Sequence, residues 1–261
     1  MTLEARRFVA DQFWLRHLAF ALVLFGAWEI YARILDQPVL LPGPIAVLVS
    51  LVELVVDGSL LPALLESLRL LAIGFFTAAV FAIVIGVLVG RYKFMDRTFS
   101  PYFNGLYALP IVALVPLVLV WFGFGLIGRV IVVFLAAFFP VLINTYTGVR
   151  QAPGDLIEVA TAFGVRREFD MLRRVVVPAA IPFIMAGIRL GIGRGIVGMA
   201  IAEVYLRLSG LGALISAYGA VFRTDFLIAA ILPLPLLGIG LTKLFALVEK
   251  RFRYWRISVT E

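Results

Sequence analysis

The chain predicts an all-α, polytopic membrane protein, a bundle of about six transmembrane helices, and three observations predict it. Apolar residues make up 63% and charged residues 15% of the 261, against roughly 45–50% and about 25% in soluble domains. Six apolar runs come near the roughly 20 residues that cross a hydrocarbon core. The basic residues lie between those runs rather than over a polar fold, so the net charge of +7 is a signal of topology and not of nucleic-acid binding. The absence of Cys excludes disulfide frameworks and thiolate-metal sites, and the single His17 leaves no cluster for zinc or acid–base catalysis.

The first run, residues 18–35, follows a basic N-terminal segment, residues 1–17. It contains Trp28, Glu29 and Arg33 and has no small-residue cleavage site, so it predicts an uncleaved span and not a signal peptide. Glu29 and Arg33 are four apart and can pair on one helix face near the outer boundary. A Pro-rich turn, residues 38–44, leads into an amphipathic helical stretch, residues 45–56. Runs at residues 68–90, 101–121 and 127–149 follow with short connections. A polar-punctuated stretch separates the fourth run from the fifth, residues 180–204, and a sixth, residues 226–248, leads to a basic tail, residues 250–261. Residues 18–249 therefore predict a single transmembrane domain.

The distribution of Lys and Arg orients it. With the N-terminus inside, fifteen basic residues fall inside: Arg6, Arg7 and Arg16, then Arg91, Lys93 and Arg97, then Arg150, Arg166, Arg167, Arg173 and Arg174, then Lys250, Arg251, Arg253 and Arg256. Only Arg33, Arg129, Arg207 and Arg223 fall outside. Both termini are expected in the cytoplasm.

The polar stretch, residues 153–178, reads as an elbow. Asp155 and Glu158 are three apart, the spacing of a capping box in which the aspartate caps and the glutamate reaches back. Leu156, Val159, Ala160 and Phe163 make the apolar stripe of a two-turn helix, and Gly164 supplies the left-handed residue that ends it. A second helix is expected over residues 166–177, with Phe169, Leu172 and Val176 on one face, until Pro178 and Pro182 restart the backbone into the fifth span. Leu156, Val159 and Phe163 have no lipid-spanning partner, so a cytoplasmic protein with an apolar cleft is their natural cover.

Within the spans, Gly187, Gly191, Gly193, Gly195 and Gly198 crowd the fifth, and Pro110, Pro116, Pro140, Pro233 and Pro235 interrupt others. Small residues allow close helix approach, and both tight packing and kinked, moving pore helices produce this composition. Polar residues at membrane depth include Asn104, Tyr107, Asn144, Arg189, Arg194 and Glu203. Arg194 must face protein or water, because an arginine at the bilayer centre costs about 2.5–3.5 kcal/mol even on the lenient insertion scale. Tyr107, Asn144 and Arg194 are the candidates for a central pathway, Arg194 favouring an anion; the alternative is that a carbonyl or a partner subunit neutralises Arg194. Arg189 and Glu203 lie roughly 21 Å apart on an ideal helix and cannot pair.

Glu158, Ala160 and Gly164, followed by Val175, Val176 and Val177 ending at Pro178, resemble the EAA loop of permease subunits in binding-protein-dependent ABC importers. Val159 stands where the first alanine of that pattern is expected, and the interval from Gly164 to Pro178 is about one residue longer. Leu41-Pro42-Gly43-Pro44, the stretch from Leu119 to Gly123, Phe139 to Thr145 and Ala186 to Leu190 resemble the branch that imports sulfonates, taurine and nitrate. The resemblance implies a type I importer permease fold with a cytoplasmic coupling elbow in the bacterial inner membrane. Asp155, Glu158, Ala160, Phe163, Gly164 and Pro178 would be its ATPase-coupling residues. The implied partners are a second copy of the permease, two ATP-binding cassette subunits and a periplasmic or lipid-anchored solute-binding protein. The subunit itself would be non-catalytic and hold no cofactor or metal, ATP being bound by the partner, in keeping with the absence of any Gly-x4-Gly-Lys-Ser/Thr. The solute implied is a small anion such as an alkanesulfonate, taurine or nitrate; a thiamine-precursor pyrimidine is the alternative.

Other classes fit less well. A secondary transporter calls for coupling carboxylates near mid-membrane, whereas Glu29 and Glu203 fall near the outer ends of their runs. An intramembrane enzyme lacks a nucleophile–base set, and a channel leaves the elbow unexplained.

Overall fold

The computed structural model describes the backbone of residues 3–251 and the side chains of residues 16–251. Of the basic residues that orient the chain, the side chains of Arg6, Arg7, Arg253 and Arg256 lie outside the described residues, as does most of the basic tail. Every regular element among the described residues is helical. In order these are α1 (Leu3–Leu35), α2 (Pro44–Val56), α3 (Leu60–Arg91), α4 (Lys93–Ala108), α5 (Ile111–Phe122), α6 (Leu126–Arg150) and α7 (Gly154–Ala162). Then follow α8 (Glu168–Met171), a π turn (Leu172–Val176), α9 (Val177–Leu206), α10 (Leu211–Ala220), α11 (Thr224–Ile231) and α12 (Pro233–Arg251).

Five stretches are long and apolar enough to cross a membrane: Arg16–Leu35, Leu60–Arg91, Leu126–Arg150, Glu168–Leu206 and Thr224–Arg251. The expected span at residues 101–121 is not a straight helix. α4 and α5 meet at a bend of 100°, so the pair makes a sixth span only as a broken one. The cause is Leu109-Pro110: the residue before proline is driven to the extended region, and Leu109 sits there with ψ 134°. Glu168–Leu206 would measure about 58 Å at 1.5 Å per residue, nearly twice a hydrocarbon core of about 30 Å. Part of it therefore extends beyond the lipid tails.

The chain forms two compact units. One comprises the residues up to Pro62 together with Leu214–Leu232. In it α2 buries Val47, Ser50 and Leu54, the i, i+3, i+7 stripe of an amphipathic helix, against Phe226, Ala229 and Ala230 of α11. The Arg33 Nε donates to Glu29 Oε1 at 2.7 Å, which is the four-residue pair the sequence predicts. Ser50 Oγ donates to Asp225, and Thr224 Oγ1 donates to the Val39 carbonyl at 2.5 Å, tying the Pro-rich turn to the start of α11.

The other unit comprises Ala63–Ala213 and the described residues from Pro233 to Arg251. Its centre is α6 against α9, and α3 lies on α6. Glycines set these distances. A Cβ built on Gly74 would stand 2.6 Å from Val133 Cβ, and one on Gly86 would stand 2.7 Å from Thr145 Cβ, so α3 approaches α6 backbone to side chain. On α9, a Cβ at Gly187 would lie 2.8 Å from Asn144 Cβ and one at Gly191 2.8 Å from Val141 Cγ2. Of the five glycines the sequence singles out there, Gly193 alone faces open space. Close packing explains the rest. α5 adds Val115, Val118 and Leu119 against Val132 and Ala202, and α12 packs along α9 through Leu234, Leu241 and Phe245. Arg189 pairs with Glu249 of α12, and Glu203 has partners of its own, so the two ends of α9 satisfy their charges separately.

Candidate functional site

The elbow begins where the polar stretch does, but its start differs from the expected capping box. Pro153 occupies the N-cap and no side chain caps the helix. Proline presets φ near −65° at a helix start, and Pro153 has φ −59°, so the helix begins a residue before Asp155 could cap it. Asp155 stands in the first turn, where its charge favours the helix dipole. Glu158 is exposed, and its side chain makes no hydrogen bond among the described residues.

The end of α7 is as the sequence predicts. Gly164 has φ +88°; its N–H donates to the Thr161 carbonyl and the Val165 N–H donates to the Ala160 carbonyl, each at 3.0 Å. These two bonds are the Schellman motif, and a contact between the residues it brings together usually accompanies it. Here Ala160 and Val165 both pack on a core of Val149, Met171, Val176, Ala180 and Ile184, with Ile157 beside them. The helix is thus fastened by one face and bare on the other. Leu156 is 41% exposed, Val159 53% and Phe163 86%.

Beyond the turn, the expected helix over residues 166–177 is α8 followed by the π turn. Phe169 is 72% exposed while Met171 and Val176 are buried, so the predicted face is displaced. The π turn is the reason. A π turn inserts one residue into an α-helix, and the Val177 N–H accordingly donates to the Leu172 carbonyl five residues back. The widened turn lies inside the interval from Gly164 to Pro178 that is about one residue long for the pattern it resembles. Pro178 opens α9 in its first turn instead of breaking the chain, and the helix runs on through Pro182.

Ion pairs hold this end of the bundle. The Arg91 guanidinium, at the last turn of α3, donates to both oxygens of Glu168 at 2.5 and 3.0 Å. Arg150, at the end of α6, pairs with Asp96 of α4 at 3.4 Å, and Arg174 pairs with Asp170 at 3.5 Å. The fork-to-carboxylate geometry of Arg91 fixes the start of α8 to α3 in direction as well as distance.

The residues singled out for a central pathway are dispersed. Tyr107 is 41% exposed at the end of α4, just before the bend. Its neighbour Asn104, a turn earlier, is the residue that reaches α6, donating to Tyr146 Oη at 3.1 Å. Asn144 donates to the Pro140 carbonyl at 2.8 Å and packs beneath Gly187, so it belongs to the α6–α9 contact. Arg194 is exposed on the face of α9 that carries Leu190, Gly193 and Val197, and its side chain makes no hydrogen bond or ion pair among the described residues. No such bond joins Tyr107, Asn144 and Arg194 to one another.

A second polar constellation lies at the opposite end of α9. Glu203 and Ser67 are completely buried and Arg129 is 7% exposed. Ser67 Oγ is 2.8 Å from each Glu203 oxygen; the Leu211 N–H donates to Ser67 Oγ at 2.9 Å and the Gly212 N–H to Glu203 Oε2 at 3.0 Å. Arg129 Nη1 donates to Ser209 Oγ at 2.6 Å, and its Nη2 lies 3.9 Å from Glu66. Removing one member of such a buried charged set costs about 3–5 kcal/mol where it strands the other. Sequence alone marked Glu203 as polar at membrane depth. Its partners lie up to 136 residues away, beyond any local pattern.

Compared with known proteins, residues 78–254 match the family described as binding-protein-dependent transport system inner membrane component. A Methanocaldococcus jannaschii protein named as an ABC transporter permease is 34% identical over 88% of this chain and 87% of its own length. A Bacillus subtilis protein named for aliphatic sulfonates transport, SsuC, is 30% identical over 94% of this chain and 89% of its own. An Escherichia coli protein named as the taurine transport system permease, TauC, is 28% identical over 92% and 88%.

Proposed function

Since the chain belongs to the inner membrane components of binding-protein-dependent transport systems and is an ABC importer permease, we propose that it forms the translocation pathway for a small sulfonate-like anion. The solute is delivered by a separate binding protein and its import is driven by a separate ATPase through the elbow. The observation that carries this is the bare apolar face of α7. Leu156, Val159 and Phe163 recur at i, i+3 and i+7 on a helix whose other face is fastened to the bundle and whose end is set by a Schellman turn. Such a face is what an amphipathic helix lays into a partner's groove. The Arg91–Glu168 fork then joins the elbow to α3, so a push on α7 reaches the spans through rigid contacts.

The distribution of lysines and arginines supports an orientation with the elbow and both termini on the cytoplasmic side of the bacterial inner membrane. Two copies of the permease enclose the path, two ATPase subunits dock below, and a periplasmic or lipid-anchored binding protein docks on the outer loops. ATP and the loaded binding protein must favour the same state, because a ligand with equal affinity for both states shifts nothing. Arg194, a cation with no side-chain partner among the described residues on an apolar helix face, supplies the positive field that suits an anion.

Co-purification in nanodiscs tests the function. ATP hydrolysis should rise when binding protein loaded with taurine or an alkanesulfonate is added; stimulation by a thiamine-precursor pyrimidine alone would replace the anion, and a chain that purifies with no ATPase would sink the importer. Arg194→Gln should leave assembly intact and lower anion uptake about tenfold, the effect of roughly 1.4 kcal/mol. Unchanged uptake in an assembled complex would remove Arg194 from the pathway.

A further inference from the structure

We propose that Ser67, Arg129 and Glu203 are positioning residues that hold the segment 207–212 in one shape, as part of the outer surface on which the loaded binding protein docks. The inference rests on the importer function and orientation proposed above.

Three spans each spend one buried polar side chain on these six residues. α6 supplies Arg129 to the Ser209 hydroxyl, α3 supplies Ser67 to the Leu211 N–H, and α9 supplies Glu203 to the Gly212 N–H. Glu203 is wholly buried, so it touches no solute, and its two oxygens are occupied by Ser67 and Gly212. The segment's own backbone needs the help. Arg207 with φ 52° and Gly210 with φ 84° are left-handed, a conformation that a non-glycine residue adopts at a cost. The Arg207 N–H closes the end of α9 on the Glu203 carbonyl at 2.8 Å. So fixed, the segment buries Gly210 and Leu211 and turns Arg207 and Leu208 outward, Leu208 being 63% exposed.

A loop ordered in advance spares its partner the entropy of ordering it on contact. Loosening it raises the concentration of binding protein needed for half-maximal stimulation, and leaves the ATPase rate without binding protein unchanged. A side chain that merely kept the subunit folded would lower both together.

The experiment uses the assembled complex in nanodiscs with loaded binding protein titrated in, for the unmodified chain and for Ser67→Ala, Glu203→Gln and Ser209→Ala. Ser67→Ala should raise the half-maximal concentration about tenfold, and Ser209→Ala, at a residue less buried than Ser67 whose loss frees one arm of Arg129, about threefold. Glu203→Gln keeps one carbonyl to accept from Gly212 and should fall between them. If Ser67→Ala does not assemble, Ser209→Ala decides. Unchanged half-maximal concentrations, or basal and stimulated rates that fall in proportion, would overturn the positioning role. If the unmodified complex itself is not stimulated, the importer function fails and not this inference alone.

Discussion

Replacing Phe163 with aspartate is expected to abolish ATP-driven uptake while leaving a folded, membrane-inserted subunit. Phe163 is 86% exposed, so it contributes little to the fold of the chain in which it sits. Leu156 and Val159, on the same face, are about half exposed, which makes Phe163, at the cap of α7, the most protruding of the three. Burying a phenylalanine in a partner's groove is worth about 1.5–3 kcal/mol, and a carboxylate in its place must also be desolvated. A loss of that size weakens docking by roughly 10- to 150-fold before the charge is counted. The check is the ratio of ATPase subunit to permease after purification, with uptake measured in parallel. Full recovery of the ATPase with normal uptake would show that α7 is not the docking element.

The second large effect is expected inside the bundle. Gly198→Leu should cut the yield of folded subunit about tenfold or more, whereas Gly193→Leu, five residues earlier on the same helix, should leave it within about twofold. A Cβ on Gly198 would stand 2.6 Å from Ala136 Cβ and 3.3 Å from the Val132 carbonyl, and backbone cannot give way as a flexible side chain can. Overpacking of this kind costs about 1–3 kcal/mol and sometimes more. A Cβ on Gly193 meets nothing within 4 Å. Size-exclusion profiles of the detergent-extracted subunit distinguish the two, and equal yields would mean that α6 and α9 are less intimately packed than their glycines indicate.

The spans were legible because lipid imposes a length and a composition on any helix that crosses it, and the runs at residues 18–35, 68–90, 127–149 and 180–204 each fall within an observed apolar helix. The turn at Gly164 was legible for a similar reason: few residues other than glycine take a positive φ cheaply. What the sequence concealed was direction and distance. A hydropathy run measures how much apolar chain is present, not whether it stays straight, so residues 101–121 look continuous although Leu109-Pro110 turns them by 100°. The spacing of Asp155 and Glu158 fits a capping box, yet Pro153 takes the cap first. Phe169 fits a helical face drawn at 3.6 residues per turn, and the π turn rotates it outward. Ser67, Arg129 and Glu203 come together only when three helices do.

The π turn at Leu172–Val176 has a consequence for phase. Each residue of an α-helix advances the chain by about 100° of rotation and 1.5 Å of rise. Deleting one residue here would let the turn close to ordinary α geometry while α9 keeps its seating on α6. The elbow would then swing by about 100° around the helix axis, carrying Phe163 from one side of the bundle's end toward another. The extra residue therefore acts as an angular offset between a membrane-anchored shaft and the handle at its end, a setting that a change in length alters without touching any contact of the shaft.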